Sequence, residues 1–113
     1  MVAAYFDLDV DVEIEVGKLR ADHHAEVGQE SVGFYCIEFS KKFLTTASEE
    51  DIIRVAAHEM IHVKQFAKEE LDPALTRWKT KDHSRTEYWE QPWEKEARRL
   101  QAKLVANFEK QFV

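Results

Sequence analysis

Near the start of the chain, apolar and acidic residues alternate without a break. Phe6, Leu8, Val10, Val12, Ile14 and Val16 fall on one parity, and Asp7, Asp9, Asp11, Glu13 and Glu15 on the other. A period of two belongs to a strand with one face buried and the other in water. Gly17-Lys18 then reads as a turn, and Leu19, Ala21, His23, Ala25 and Val27 repeat the alternation more weakly, which predicts a hairpin. A second turn over 28–31 leads into the apolar run 34–39, so the expected arrangement is a three-stranded antiparallel meander.

The period changes after residue 48. Ser48, with Asp51 in the turn that follows, suits a helix N-cap with acid near the positive end of the helix dipole. That helix is expected to run to about residue 71, where Asp72-Pro73 stops it. The stretch 74–91 is irregular, aromatic and charged, with room for a short hairpin near Trp78 and Tyr88. Pro92 fits the first turn of a last helix, on which Trp93, Ala97, Leu100, Leu104 and Phe108 recur at helical spacing. The fold class expected is α+β: a three-stranded antiparallel sheet packed on two helices, in one domain spanning 1–113.

At 113 residues there is room for one modest core. A net charge of −6 opposes a general nucleic-acid binder, which would carry a basic surface. Acidic residues interrupt the N-terminal apolar positions, so no secretory signal is expected there, and no stretch has the length of apolar residues that a membrane span requires. Cys36 is the single cysteine and cannot form an internal disulfide. The expectation is a cytoplasmic protein that engages neither membrane nor nucleic acid. The acidic row at the N-terminus could imitate a nucleic-acid backbone, but a charged solvent face guarding a strand is the commoner use.

Candidate chemistry centres on His58-Glu59-Met60-Ile61-His62, an HExxH. Two histidines four apart on a helix lie one turn from each other on the same face, so both imidazoles can reach one metal ion. Taking about 100° per residue, Ile52, Val55, Ala56, Met60, Val63, Phe66 and Ala67 make one apolar face, and Glu59 falls inside it between Val55 and Val63. A carboxylate in such a face is costly unless something compensates it, and its pKa should be raised. The plainer reading leaves the histidines as boundary residues with Glu59 tolerated beside them; a third ligand would weigh against that.

HExxH followed about thirty residues downstream by Glu-x-x-Ala opening a second helix resembles the gluzincins, especially the minimal ones. Here the second motif is Glu94-Lys95-Glu96-Ala97. The resemblance implies that Glu94 is the third zinc ligand beside His58 and His62, and the helical wheel agrees, since Glu96 falls toward Lys103 and Arg99 as a surface ion-pair residue. The runs Ala57-His58-Glu59-Met60-Ile61-His62-Val63-Lys64-Gln65 and Tyr88-Trp89-Glu90-Gln91-Pro92-Trp93-Glu94-Lys95-Glu96-Ala97 are similar to small metallopeptidases common in phages and prophages.

That resemblance implies a zinc metallopeptidase, a hydrolase of peptide or protein substrates, with Zn2+ held by His58, His62 and Glu94 and Glu59 as general base. The candidates for stabilising the oxyanion are Tyr88, His83 and Arg85, with Tyr88 preferred. The strand 34–39 is the expected docking edge for an extended peptide. The alternative function is a zincin-derived binding or inhibitor protein that keeps zinc for stability. A DNA-associated protease would want a basic surface that this composition lacks. His23 and His24 are read as structural, because neighbours on a strand point to opposite faces, and Cys36 as a small core residue.

Overall fold

The computed structural model describes residues 10–17, 23–31 and 33–112, with side chains through residue 106. The expected strand positions Phe6, Asp7, Leu8, Asp9, Leu19 and Ala21, and the Phe108 side chain, lie outside that description. The elements are β1 (Asp11–Gly17), β2 (Ala25–Ser31), β3 (Phe34–Ser40), α1 (Lys41–Thr46), α2 (Glu49–Ala67), β4 (Arg77–Trp78), β5 (Lys81–Asp82), a single 3-10 turn at Tyr88–Glu90, and α3 (Pro92–Phe112). The class is α+β, and the sheet is mixed instead of the expected antiparallel meander.

Its order is β1-β3-β2. β1 runs parallel to β3, from Asp11 opposite Phe34 to Gly17 opposite Ser40, and β2 is antiparallel to β3 on the other side. No β1–β2 hairpin forms. The strand richest in apolar residues takes the centre: Tyr35, Ile37 and Phe39 of β3 are 2%, 2% and 5% exposed. β1 is left at an edge, where its acidic parity (Asp11, Glu13, Glu15) faces water. Only part of its apolar parity is covered, because Val10 and Val12 pack on the core while Ile14 and Val16 remain exposed.

The expected turn over 28–31 lies inside β2, where Gly28 pairs with Cys36. The chain reverses instead at Gly33, whose φ of +77° suits a residue without a Cβ. Cys36 is half-buried on the acid-bearing face, not in the core; burial first, then Glu15, pushes its thiol pKa up.

α1 was not visible in the sequence pattern. Six residues are too few to show a period, and the helix is started by the Ser40 hydroxyl, which accepts from the Phe43 amide at 3.2 Å. Ser48 caps α2 as expected, accepting from the Asp51 amide at 3.1 Å.

α2 is the centre of the molecule and is covered on two sides. Val63 and Phe66, with Val55, Ala56, Met60 and Ala67, pack toward the sheet. Ala57 and Ile61 pack toward Ala97 and Leu104 of α3. Ala57 and Ala97 put small side chains into that helix contact, which lets the axes approach.

The helix ends at Ala67, four residues before the expected stop. Glu69 takes a left-handed conformation (φ 57°), and the amides of Glu70 and Leu71 both donate to the Gln65 carbonyl, at 2.9 and 3.2 Å. The chain folds back there so that Leu71 is buried and bridges to Trp78. Burying a leucine outweighed one more helical turn.

Asp72 organises the loop that follows. Its carboxylate accepts from the amides of Thr76 and Arg77, at 2.7 and 2.8 Å, and from the Thr76 hydroxyl at 2.8 Å. Burial would raise its pKa, but these donors outweigh burial and lower it. Asp72→Ala is therefore expected to lower the unfolding free energy by about 2 kcal/mol, since two backbone donors lose a charged acceptor. Because the folded pKa is depressed, the contribution is present above the unfolded pKa and lost as pH falls through the folded one. Urea titrations of both proteins at pH 7 and pH 3 check this: the gap between them should narrow at pH 3.

The expected hairpin near Trp78 is the β4–β5 pair, while Tyr88 sits in the 3-10 turn before α3. Pro92 opens α3 as expected, and Trp93, Ala97 and Leu104 are its buried face. Among the described residues no helix is long and apolar enough to cross a membrane.

Candidate metal centre

On α2, His58 and His62 fall at the seam between the sheet-facing side and the side that meets α3. Glu94, in the first turn of α3, enters the same seam. Glu94 Oε1 lies 3.1 Å from His58 Nε2 and 3.3 Å from His62 Nε2, and the two Nε2 atoms are 3.2 Å apart. The three atoms form a nearly equilateral triangle. Around a tetrahedral zinc ion with its usual nitrogen and oxygen distances, ligand atoms stand about 3.3 Å apart. The triangle has the size such an ion requires, and among the described residues these three make the His/Cys/Asp/Glu group able to hold one.

The far side of each imidazole sharpens the chemistry. His62 Nδ1 is 2.7 Å from Gln65 Oε1, and His58 Nδ1 is 3.0 Å from Gln101 Oε1. An amide oxygen only accepts, so Nδ1 of His62 carries a proton, as does Nδ1 of His58 with the Gln101 amide in this orientation, and in the neutral ring that leaves a lone pair on Nε2. Two lone pairs and a carboxylate oxygen then converge at contact distance. They repel unless a cation joins them, either protons on the imidazoles or a metal ion. A donor set of two imidazoles and one carboxylate is chemically suited to a zinc ion.

Protons on the imidazoles can bridge the same atoms. Burial would raise the Glu94 pKa, but hydrogen bonds from His58 and His62 outweigh it and hold the carboxyl at about 2. Burial would lower the pKa of His62, yet its bond to Glu94 and that group's charge carry it upward. Glu59 behaves differently: 8% exposed in the apolar face, it is pushed up to about 7 by burial, which outweighs the histidines beside it.

These groups open on a cavity of about 930 Å³ whose wall includes Val55 and Phe66 of α2, Glu26 of β2, His23, Leu75 and Tyr88. His58, Glu59, His62, Glu94 and Tyr88 thus share one cavity wall, as the sequence motifs grouped them. Tyr88 is half exposed, and its phenol pKa is raised by burial first and then by Glu94. Of the other two oxyanion candidates, His83 packs edge-on against Trp93 and bonds to Thr86, and Arg85 is exposed; neither lines the cavity. Cys36 does not line it either.

His23 and His24 stand closer to the centre than expected. Both line the cavity, with His23 bonded to Glu26 and His24 stacked on Phe43. The docking edge also needs correction: β3 is paired on both sides, so among the described residues the edge strand beside the site is β2. Glu96 forms an ion pair as expected, but not on the surface. Its carboxylate meets Lys64 Nζ at 2.8 Å between α2 and α3, with both side chains largely covered.

Gln65 and Gln101 were missed. The available signal was an amide in the buried stretch of α2 one turn after His62, and another on α3 two turns after Glu94. Compared with known families, curated proteins and solved structures, the chain has no match.

Proposed function

We propose that the chain is a zinc-dependent peptidase in which His58, His62 and Glu94 hold the metal and Glu59 is the general base. The observation that carries this reading is the converging triangle of three acceptor atoms beside a buried carboxyl whose pKa lies near neutrality. A purely structural site has no use for Glu59, which lies buried at a cost unless its proton is put to work.

A zinc ion bound there would polarise a peptide carbonyl and make a water molecule acidic. Glu59, buried beside the ligand triangle, would take a proton from that water and pass it to the leaving amine. Tyr88, which lines the cavity, would donate its phenolic hydrogen to a developing negative charge. Among the described strands β2 is the edge beside the cavity, so an extended peptide would add to the sheet there as a further strand.

Zinc content measured by elemental analysis on wild type and Glu94→Ala, with cleavage of unfolded protein substrates assayed alongside, tests the reading. The wild type should carry near-stoichiometric zinc and cleave. Glu94→Ala should lose zinc affinity by at least about 100-fold, the loss expected when one of three ligands is removed. A wild type that takes up no zinc on reconstitution overturns the metal assignment, and tight zinc without cleavage of any substrate favours the binding-protein alternative.

A further inference from the structure

Among the described residues Gln65 is the most completely buried polar one, with no exposed surface, and its three side-chain hydrogen bonds leave its amide one orientation. Its Nε2 donates to the Trp93 carbonyl at 2.9 Å and to Glu96 Oε1 at 3.2 Å. Both partners accept only, so the nitrogen must face them and the oxygen must face His62. Amide orientation is often ambiguous, but two acceptors on one side decide it here.

The next link is Lys64, whose ammonium donates to the same Glu96 Oε1 at 2.8 Å and faces Glu70 Oε1 at 2.7 Å. Lys64 holds Glu96, Glu96 and the Trp93 carbonyl hold the Gln65 nitrogen, and the Gln65 oxygen receives the His62 Nδ1 hydrogen. Two of the anchors, Trp93 and Glu96, flank Glu94 on α3. The array therefore ties the ring orientation of His62 to the docking of the helix that carries the third ligand.

We infer that Gln65 is the positioning residue of the metal centre: it holds His62 as the Nδ1–H tautomer with Nε2 turned toward Glu94, through an amide whose own orientation is imposed by α3. As it concerns how the metal would be held, this rests on the zinc reading above; the tautomer itself does not. An outer partner that fixes ring and tautomer is worth about 10- to 100-fold in metal affinity. A neutral amide in this place also adds no second negative charge beside Glu96, which a carboxylate partner would.

The test has two parts. In the metal-free wild type, above the pH at which the same spectra show the His62 ring to have lost its second proton, long-range proton–nitrogen correlations report which ring nitrogen carries hydrogen. The expected result is Nδ1–H for His62. Nε2–H in the wild type would overturn the inference without any variant being needed.

Gln65→Met keeps the volume and removes every hydrogen bond. Zinc affinity by competition with a chromophoric chelator should fall about 10- to 100-fold, with His62 shifting to a mixture of tautomers and circular dichroism unchanged. A folded Gln65→Met with wild-type zinc affinity would reduce Gln65 to a packing residue and sink the idea. Gln101→Met should leave the His62 tautomer untouched. Should the wild type bind no zinc while His62 is Nδ1–H, the zinc reading fails but the tautomer assignment stands.

Discussion

Glu59→Gln is expected to retain zinc, lose cleavage by about 100- to 10,000-fold, and gain stability in the metal-free state at pH 8. All three follow from one buried carboxyl. The side chain is not a member of the ligand triangle, so its replacement by an isosteric amide leaves the metal donors in place. The amide cannot accept and return a proton, which removes the base.

The stability gain comes from linkage. The folded pKa of about 7 lies above the ordinary 4.5, so between those values the folded chain keeps a proton that the unfolded chain releases. Wild-type stability therefore falls as pH rises across that window. By pH 8 the penalty amounts to about 3 kcal/mol, from which the Glu59→Gln variant is exempt because its amide does not ionise. Thermal unfolding of both proteins in the presence of a chelator should give similar midpoints at pH 4.5 and a clearly higher midpoint for the variant at pH 8. Equal midpoints at both pH values would mean that Glu59 is not held in an apolar environment, and cleavage by the variant at the wild-type rate would exclude it as the base.

The second large effect is expected at Lys64. Its ammonium lies between Glu96 at 2.8 Å and Glu70 at 2.7 Å, with side-chain exposures of 10%, 14% and 18% for the lysine and the two glutamates in that order. Removing the cation leaves two carboxylates together in a largely covered site, and losing one partner of a buried pair costs about 3–5 kcal/mol. Lys64→Ala should thus lower the unfolding free energy by about 3 kcal/mol at pH 7, at the lower end because the site is not wholly dry. Adding Glu70→Gln should recover part of the loss, since one charge then remains.

The pH dependence has a definite sign. Burial would raise the Glu96 pKa, but its bonds to Lys64 and Gln65 lower it; its contribution is present above the unfolded pKa and lost as pH falls through the folded one. The Lys64 pKa is raised, with burial outweighed by Glu70 and Glu96, so its contribution persists through neutrality and is lost only above the ordinary lysine range. The gap between wild type and Lys64→Ala should accordingly be widest near pH 7 and shrink toward pH 3. A gap independent of pH would assign the loss to packing of the lysine stem.

This lysine also illustrates how far local pattern can be read. Glu96 and Lys64 are each ordinary helix-surface residues by sequence, and a wheel drawn for α3 alone puts Glu96 among charges. What buries them is the meeting of two helices far apart in the chain, which no period within either helix records. The same limit hid Gln65, because an amide in an apolar stretch gives no indication of its partners until the carbonyl of Trp93 and the carboxylate of Glu96 arrive from α3.

The sheet failed for a related reason. Alternation identified strands near β1, β2 and β3, since the period of two is local to each strand, but pairing order depends on which strand has most to bury on the helices. Ile14 and Val16 carry the right parity and still lie in water.

Residue spacing alone was enough for the helix that carries HExxH with its Ser48 cap, the Pro92 start of α3, and the placing of Glu59 in an apolar face. Each of these is set by spacing along one helix or by a side chain acting on its own backbone. The parallel β1–β3 pair, β2 as the strand beside the cavity, and the glutamines behind the histidines all had to await the folded chain. Those depend on which surfaces meet, and burial is shared between segments that the chain brings together only when it folds.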